Sequence, residues 1–312
     1  MRRAAPPGLR LDPAVGPAIA RVAPGAQGLR LRPAENPPGS VAPMHDLRPA
    51  GGAPFRATWV EAVSAGRMAL VGAAGIAASV TLPEVDVVHD RRPPELDAVV
   101  GAASANAGLV RVEGAWRALV LPSLGDLVAD LGPGPVAIRA DGRMVAAAAD
   151  GAIVQRSVPD GTVVARVEGV ADALCLTDTG DVLVAAAGLV GPPGTTPGDG
   201  PHVRALRAAA DAPRAVSLDA SDELAVWDTA TATPILRVAS PIAGARLGGL
   251  SADGELVALS GGAHGVSAVL RTSTGAVAAW IEGAHGVAVV PDGVLVCGEF
   301  GIVMLSRPKE LS

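Results

Sequence analysis

Short apolar runs of four to seven residues, separated by turns rich in Gly and Asp, recur along most of this chain. Two stretches nearly superimpose: VAIRADGRMVAAAADGAIVQRSVPDGTVVARVEG from Val136, and LGGLSADGELVALSGGAHGVSAVLRTSTGAVAAWIEG from Leu247. In each, an apolar run meets an Ala-Asp-Gly turn (Asp141-Gly142; Asp253-Gly254) and a second run follows. A third run comes after a Gly-containing turn. A further turn (Pro159-Asp160-Gly161; Ser273-Thr274-Gly275) leads to a fourth, which ends in Glu-Gly. Four such runs predict successive antiparallel hairpins. Glycine supplies the positive φ that tight hairpin turns require, and Asp tolerates it. Valine and isoleucine fill the runs, and no stretch has a sustained helical period with caps.

The template extends both ways with a spacing near 40 residues. It predicts units over 54–92, 93–132, 133–169, 170–241, 242–283 and 284–308. The last holds only three runs, so an outer strand must come from elsewhere. GLRL near Leu9 and AIARV near Ala18 are the candidates. GLRLRPA and VAPMHDL, further along the first 53 residues, could form part of one more unit. The fourth unit is overlong. Its excess, about 189–221, begins with the Gly- and Pro-rich GPPGTTPGDGP and reads as an insertion: a loop, a short helix, a hairpin or the remnant of another unit.

The segment AVWDTATATPIL, with Trp227-Asp228, resembles the third strand and following turn of a WD40 repeat. EGAHGVAVVPDGVLVCG, with His285, resembles a repeat junction. Only one unit carries the literal Trp-Asp, so the match is to a degenerate, YVTN-like repeat over residues 54 to 308, and the family's His–Asp hydrogen-bond network does not carry over generally. The resemblance implies an all-β fold, a β-propeller of six or seven four-stranded blades closed by an N-terminal strand. Leftover length matching one period favours seven. Residues 1–53 are then an arm, closing strand and degenerate blade, and 54–312 the propeller with its insertion.

Composition changes this picture little. Tyr is absent, Phe occurs twice, and Lys309 is the one lysine among 25 basic residues. That bias looks like base composition. A net charge of −6 without basic stripes argues against a nucleic-acid partner. Cys175 and Cys297 sit in apolar runs and read as small buried hydrophobes. Arg2 and Arg3 are followed by AAPPGLRLDP, which cannot form the apolar core of a signal peptide. The apolar stretch from Met68 to Leu82 is too short to span a bilayer and is interrupted by Gly72 and Gly75. A soluble, cytoplasmic protein without membrane insertion is expected.

No P-loop, HExxH, GxSxG or paired CxxC is present. Calcium sites of propeller lactonases recruit Asn and acidic ligands, and this chain has only Asn36 and Asn106. No catalytic, cofactor or metal residue is therefore assigned. The leading expectation is a non-catalytic scaffold for other proteins within a multiprotein assembly. A propeller enzyme or small-ligand sensor using the central channel is the second reading, and a structural component of a larger particle the third. The first two separate on whether the channel holds convergent polar groups or only Ala, Val and Gly. The expected partner-binding residues are His202, Arg204 and Arg207, a local cationic cluster after a segment expected to project from the body.

Overall fold

The computed structural model describes residues 107–306, apart from 122, 129, 159, 262–264, 291–292 and 299–300, together with Leu82 and the strands named below in the preceding part of the chain. No helix occurs among them. The first four strands are β1 (Leu9–Arg10), β2 (Ile19–Arg21), β3 (Leu29–Pro33) and β4 (His45–Leu47). The next four, β5 (Trp59–Ala62), β6 (Met68–Ala73), β7 (Ile76–Thr81) and β8 (Val87–Arg91), form one antiparallel sheet. A second sheet holds β9 (Leu96–Ala103), β10 (Ala107–Val112), β11 (Ala115–Val120) and β12 (Asp126–Val128). The third is β13 (Val136–Ile138), β14 (Met144–Ala149), β15 (Ala152–Ser157) and β16 (Val163–Glu168).

A three-stranded sheet follows, made of β17 (Ala173–Leu176), β18 (Val182–Ala186) and β19 (Leu189–Gly191). The fifth sheet is β20 (Val203–Ala208), β21 (Arg214–Asp219), β22 (Glu223–Asp228) and β23 (Thr233–Ala239). The sixth contains β24 (Arg246–Leu250), β25 (Leu256–Ser260), β26 (Val266–Arg271) and β27 (Val277–Glu282). The seventh contains β28 (Gly286–Val290), β29 (Gly293–Gly298) and β30 (Gly301–Ser306).

The first strands are neighbours in chain order, β5 to β9 to β13 to β17 to β20 to β24 to β28, and β28 lies against β5, so the succession returns to its start. The core is divided accordingly. Among the described residues, seven clusters of buried side chains lie one between each pair of neighbouring sheets. Strand alternation distributes the side chains between them. On β28, Val287 and Val289 enter the cluster shared with the sixth sheet, while Ala288 and Val290 enter the one shared with the first. On β25, Leu256 and Ala258 face one way, Val257 and Leu259 the other. Both faces of an inner strand are thus buried, so these strands read as unbroken apolar runs. Full burial of a Val or Leu contributes about 1.5–3 kcal/mol. The thiols join this packing: Cys175 and Cys297 are free and buried. Desolvation pushes Cys175 up to about 12 and raises Cys297 as well.

The turns repeat as closely as the strands. The Gly142 N–H donates to the Arg139 carbonyl at 2.8 Å, and the Gly254 N–H to Ser251 at 2.9 Å. Both glycines have φ of 71°. Asp141 accepts from the Arg143 N–H and Asp253 from the Glu255 N–H, each at 2.9 Å, which is why Asp precedes Gly. Valine at either glycine is expected to destabilise by about 1 kcal/mol or more. At Gly254 an added Cβ would also lie 3.1 Å from the Arg214 side chain. Urea unfolding measures both, and equal stability of the Gly142→Val protein and the parent would contradict the turn assignment.

An N-terminal strand pairs with the seventh sheet as expected. It is AIARV, not GLRL: β2 lies antiparallel to β30, with Ala20 opposite Leu305, and β1 pairs with β2 outside it. Three expectations need correction. GLRLRPA and the HDL of VAPMHDL form no unit of their own, because β3 pairs with β27, Leu31 opposite Ile281, and β4 with β3. The overlong unit 170–241 is two sheets. Its stretch 189–221 is not an insertion but carries β19, β20 and β21, and ELAVWD is the third strand of a sheet that β20 begins. GPPGTTPGDGP is mostly exposed, yet it is tied back to the β18–β19 hairpin. The Gly200 N–H donates to Ala187 at 2.9 Å, and Thr195 covers Gly191.

Candidate functional site

A cavity of about 590 Å³ is lined by residues from all seven sheets. Trp59 on β5 and Trp116 on β11 form aromatic wall; both are buried. Val136, Leu174, Leu247 and Val287, each from a first strand, supply aliphatic wall. Four arginines reach the same space: Arg111 on β10, Arg204 and Arg207 on β20, and Arg246 on β24, with His285 just before β28.

The surroundings fix several of these groups. Arg204 donates through Nε to the Asp219 carbonyl at 2.7 Å and through a terminal nitrogen to the Asp222 carboxylate. Asp222 also accepts from the Gly244 N–H at 2.8 Å; that bond first, and Arg204 after it, hold its carboxyl below the usual range. Arg111 donates to the Gly114 carbonyl at 3.1 Å. Arg246 is exposed. Asp172 is the one carboxylate on the wall among the described residues. Its Oδ2 accepts from the N–H groups of Ala187 at 2.8 Å and Val203 at 3.2 Å, and its Oδ1 lies 3.0 Å from His202 Nδ1. Asp172 thereby ties the fourth sheet to the start of β20.

Of the three residues expected to bind a partner, the structure brings Arg204 and Arg207 together on the cavity wall. His202 is set apart from that wall, with 61% of its side chain exposed, and pairs with Asp172. The sequence reading missed Arg111 and Arg246 and gave His285 no role in a site. An arginine inside an apolar run is a usable signal, but here it was absorbed into the general arginine bias. Trp227 and Asp228, which carry the WD40 resemblance, serve structure: the indole Nε1 donates to Ser217 Oγ at 2.8 Å, and Asp228 accepts from the N–H groups of Ala230 and Thr231. Arg237 lies over the Trp227 ring, 5.2 Å from its centre.

Among the described residues, no group of three or more His, Cys, Asp or Glu could hold a metal ion, and no helix is long and apolar enough to cross a membrane. No family model matches the chain, and no curated protein matches it.

Proposed function

We propose that the seven sheets are the blades of a WD40/YVTN-like β-propeller, and that the chain is a non-catalytic binding module whose ligand occupies the cavity at the hub. The cyclic order of the first strands and the seven inter-sheet cores support the fold. The observation that carries the function is convergence: polar side chains from several blades meet in one cavity of about 590 Å³, a size suited to a small ligand. A channel lined only by Ala, Val and Gly would have favoured the pure scaffold.

The scaffold reading keeps one observation of its own. Val163, Val164 and Val167, on the outermost strand of the third sheet, are 50%, 57% and 40% exposed. Apolar surface of this kind suits contact with another protein in an assembly.

Trp59 and Trp116 give the test, because they line the cavity whereas Trp227 and Trp280 do not. A panel of small acids, amines and neutral polyols should include a class that shifts the tryptophan emission saturably, and the response should shrink in Trp116→Phe. Silence across all three classes would return the protein to the scaffold reading.

A further inference from the structure

Taking the binding-module reading as its basis, we infer that the cavity takes a small multivalent oxyanion, one bearing two or more carboxylate or phosphate groups. The wall is cationic in a chain whose net charge is −6. Four arginines from three different sheets line one space. The one described carboxylate there, Asp172, already has both oxygens engaged, by His202 and by two backbone N–H groups. It is therefore poorly placed to serve also as a counter-charge for the arginines.

Arg246 is the most informative group. It is exposed on the cavity wall, and no described carboxylate lies within ion-pair distance of it. Arg204 differs, because Asp219 and Asp222 hold its guanidinium in place, which makes it a pre-oriented donor. A planar guanidinium offers paired N–H donors that match the two oxygens of a carboxylate or phosphate face. Three blades contribute these arginines, so a ligand with two or more anionic groups can engage more than one of them at once. The concave, partly apolar wall of Trp59, Trp116 and Leu174 strengthens each charge interaction by limiting water, and it leaves room for a short carbon frame between the anionic groups.

Calorimetric titration of the full chain at fixed ionic strength, with citrate and pyrophosphate as probes, tests this. Saturable one-to-one binding of at least one is expected, and the tighter of the two tells carboxylate from phosphate. Binding should weaken at least tenfold in Arg246→Gln and by a smaller factor in Arg246→Lys, which keeps the charge and loses the fork. Thermal melts should be the same for both variants and the parent, separating lost recognition from lost folding. Raising the salt concentration should weaken binding further.

Binding by a neutral polyol or an amine, but by neither probe, would overturn the anion class and leave the binding module standing. Silence from every class, with unchanged tryptophan emission, would remove both. Capture of a glutamate-rich peptide with no affinity for either probe would overturn the small-molecule form in favour of an acidic segment of another protein. Equal affinity of Arg246→Gln and the parent would place the anion elsewhere.

Discussion

Gly248→Ala is expected to cost about 3 kcal/mol or more, a large share of the roughly 5–15 kcal/mol by which proteins of this kind are stable. A Cβ at Gly248 would lie 2.1 Å from the Val287 carbonyl oxygen. That contact is backbone to backbone, between β24 and β28, so no rotamer change relieves it. The strands would have to separate, and the seam holding Ala258, Val287 and Val289 would open with them. Gly286→Ala should be milder. Its added Cβ would meet Cys297 Sγ at 2.9 Å and Trp59 Cα at 3.1 Å, across the contact of β28 with β5. Calorimetric melting should rank parent above Gly286→Ala above Gly248→Ala. A Gly248→Ala protein within 1 kcal/mol of the parent would mean that the sixth and seventh sheets do not approach so closely.

Removing the first 35 residues is expected to lower the melting temperature by about 10 °C or more and to promote aggregation. Several strand pairings disappear together: β2 leaves β30, and β3 leaves both β27 and β4. Each loss exposes a row of unpaired N–H and C=O groups at a sheet edge. A gentler variant separates pairing from bulk deletion. Ala20→Pro removes one donor opposite Leu305 and should destabilise in the same direction by a smaller amount. A shortened protein melting with the parent would show that these strands contribute nothing to the fold.

The sequence made some of this architecture legible and hid the rest for identifiable reasons. The Asp-Gly turns could be read because positive φ restricts the residues at those positions, and Gly142 and Gly254 adopt the same φ. Units beginning near Val136 and Leu247 could be read because their strand lengths and turns repeat. The two sheets within 170–241 merged into one overlong unit because the first of them stops at three strands. Pro192 and Pro193 follow Gly191 directly, and neither can donate to a ladder, so no fourth run announces a boundary. Nor does anything local to Leu29–Pro33 indicate β27 as its partner, because an edge pairing between distant segments leaves no mark on either one. The cavity was illegible for a related reason: Arg111, Arg204, Arg207 and Arg246 become a group only when separate sheets bring them together.

The pairing of β2 with β30 also sets the order in which the molecule can be finished as it is made. Ala20 leaves the ribosome well before its partner Leu305, which lies 285 residues further along the chain. At roughly 5–20 residues per second, tens of seconds pass between them. Through that interval β1 and β2 have no seventh sheet to join, and β5 has no β28 to lie against. Intermediate sheets can pack on their predecessors as they emerge, but the contacts of greatest sequence separation must form last. Loop-closure entropy makes such contacts slow. The nascent chain therefore carries an uncovered apolar sheet face at each end of a growing stack, and chaperone demand should peak just before synthesis of β28 to β30.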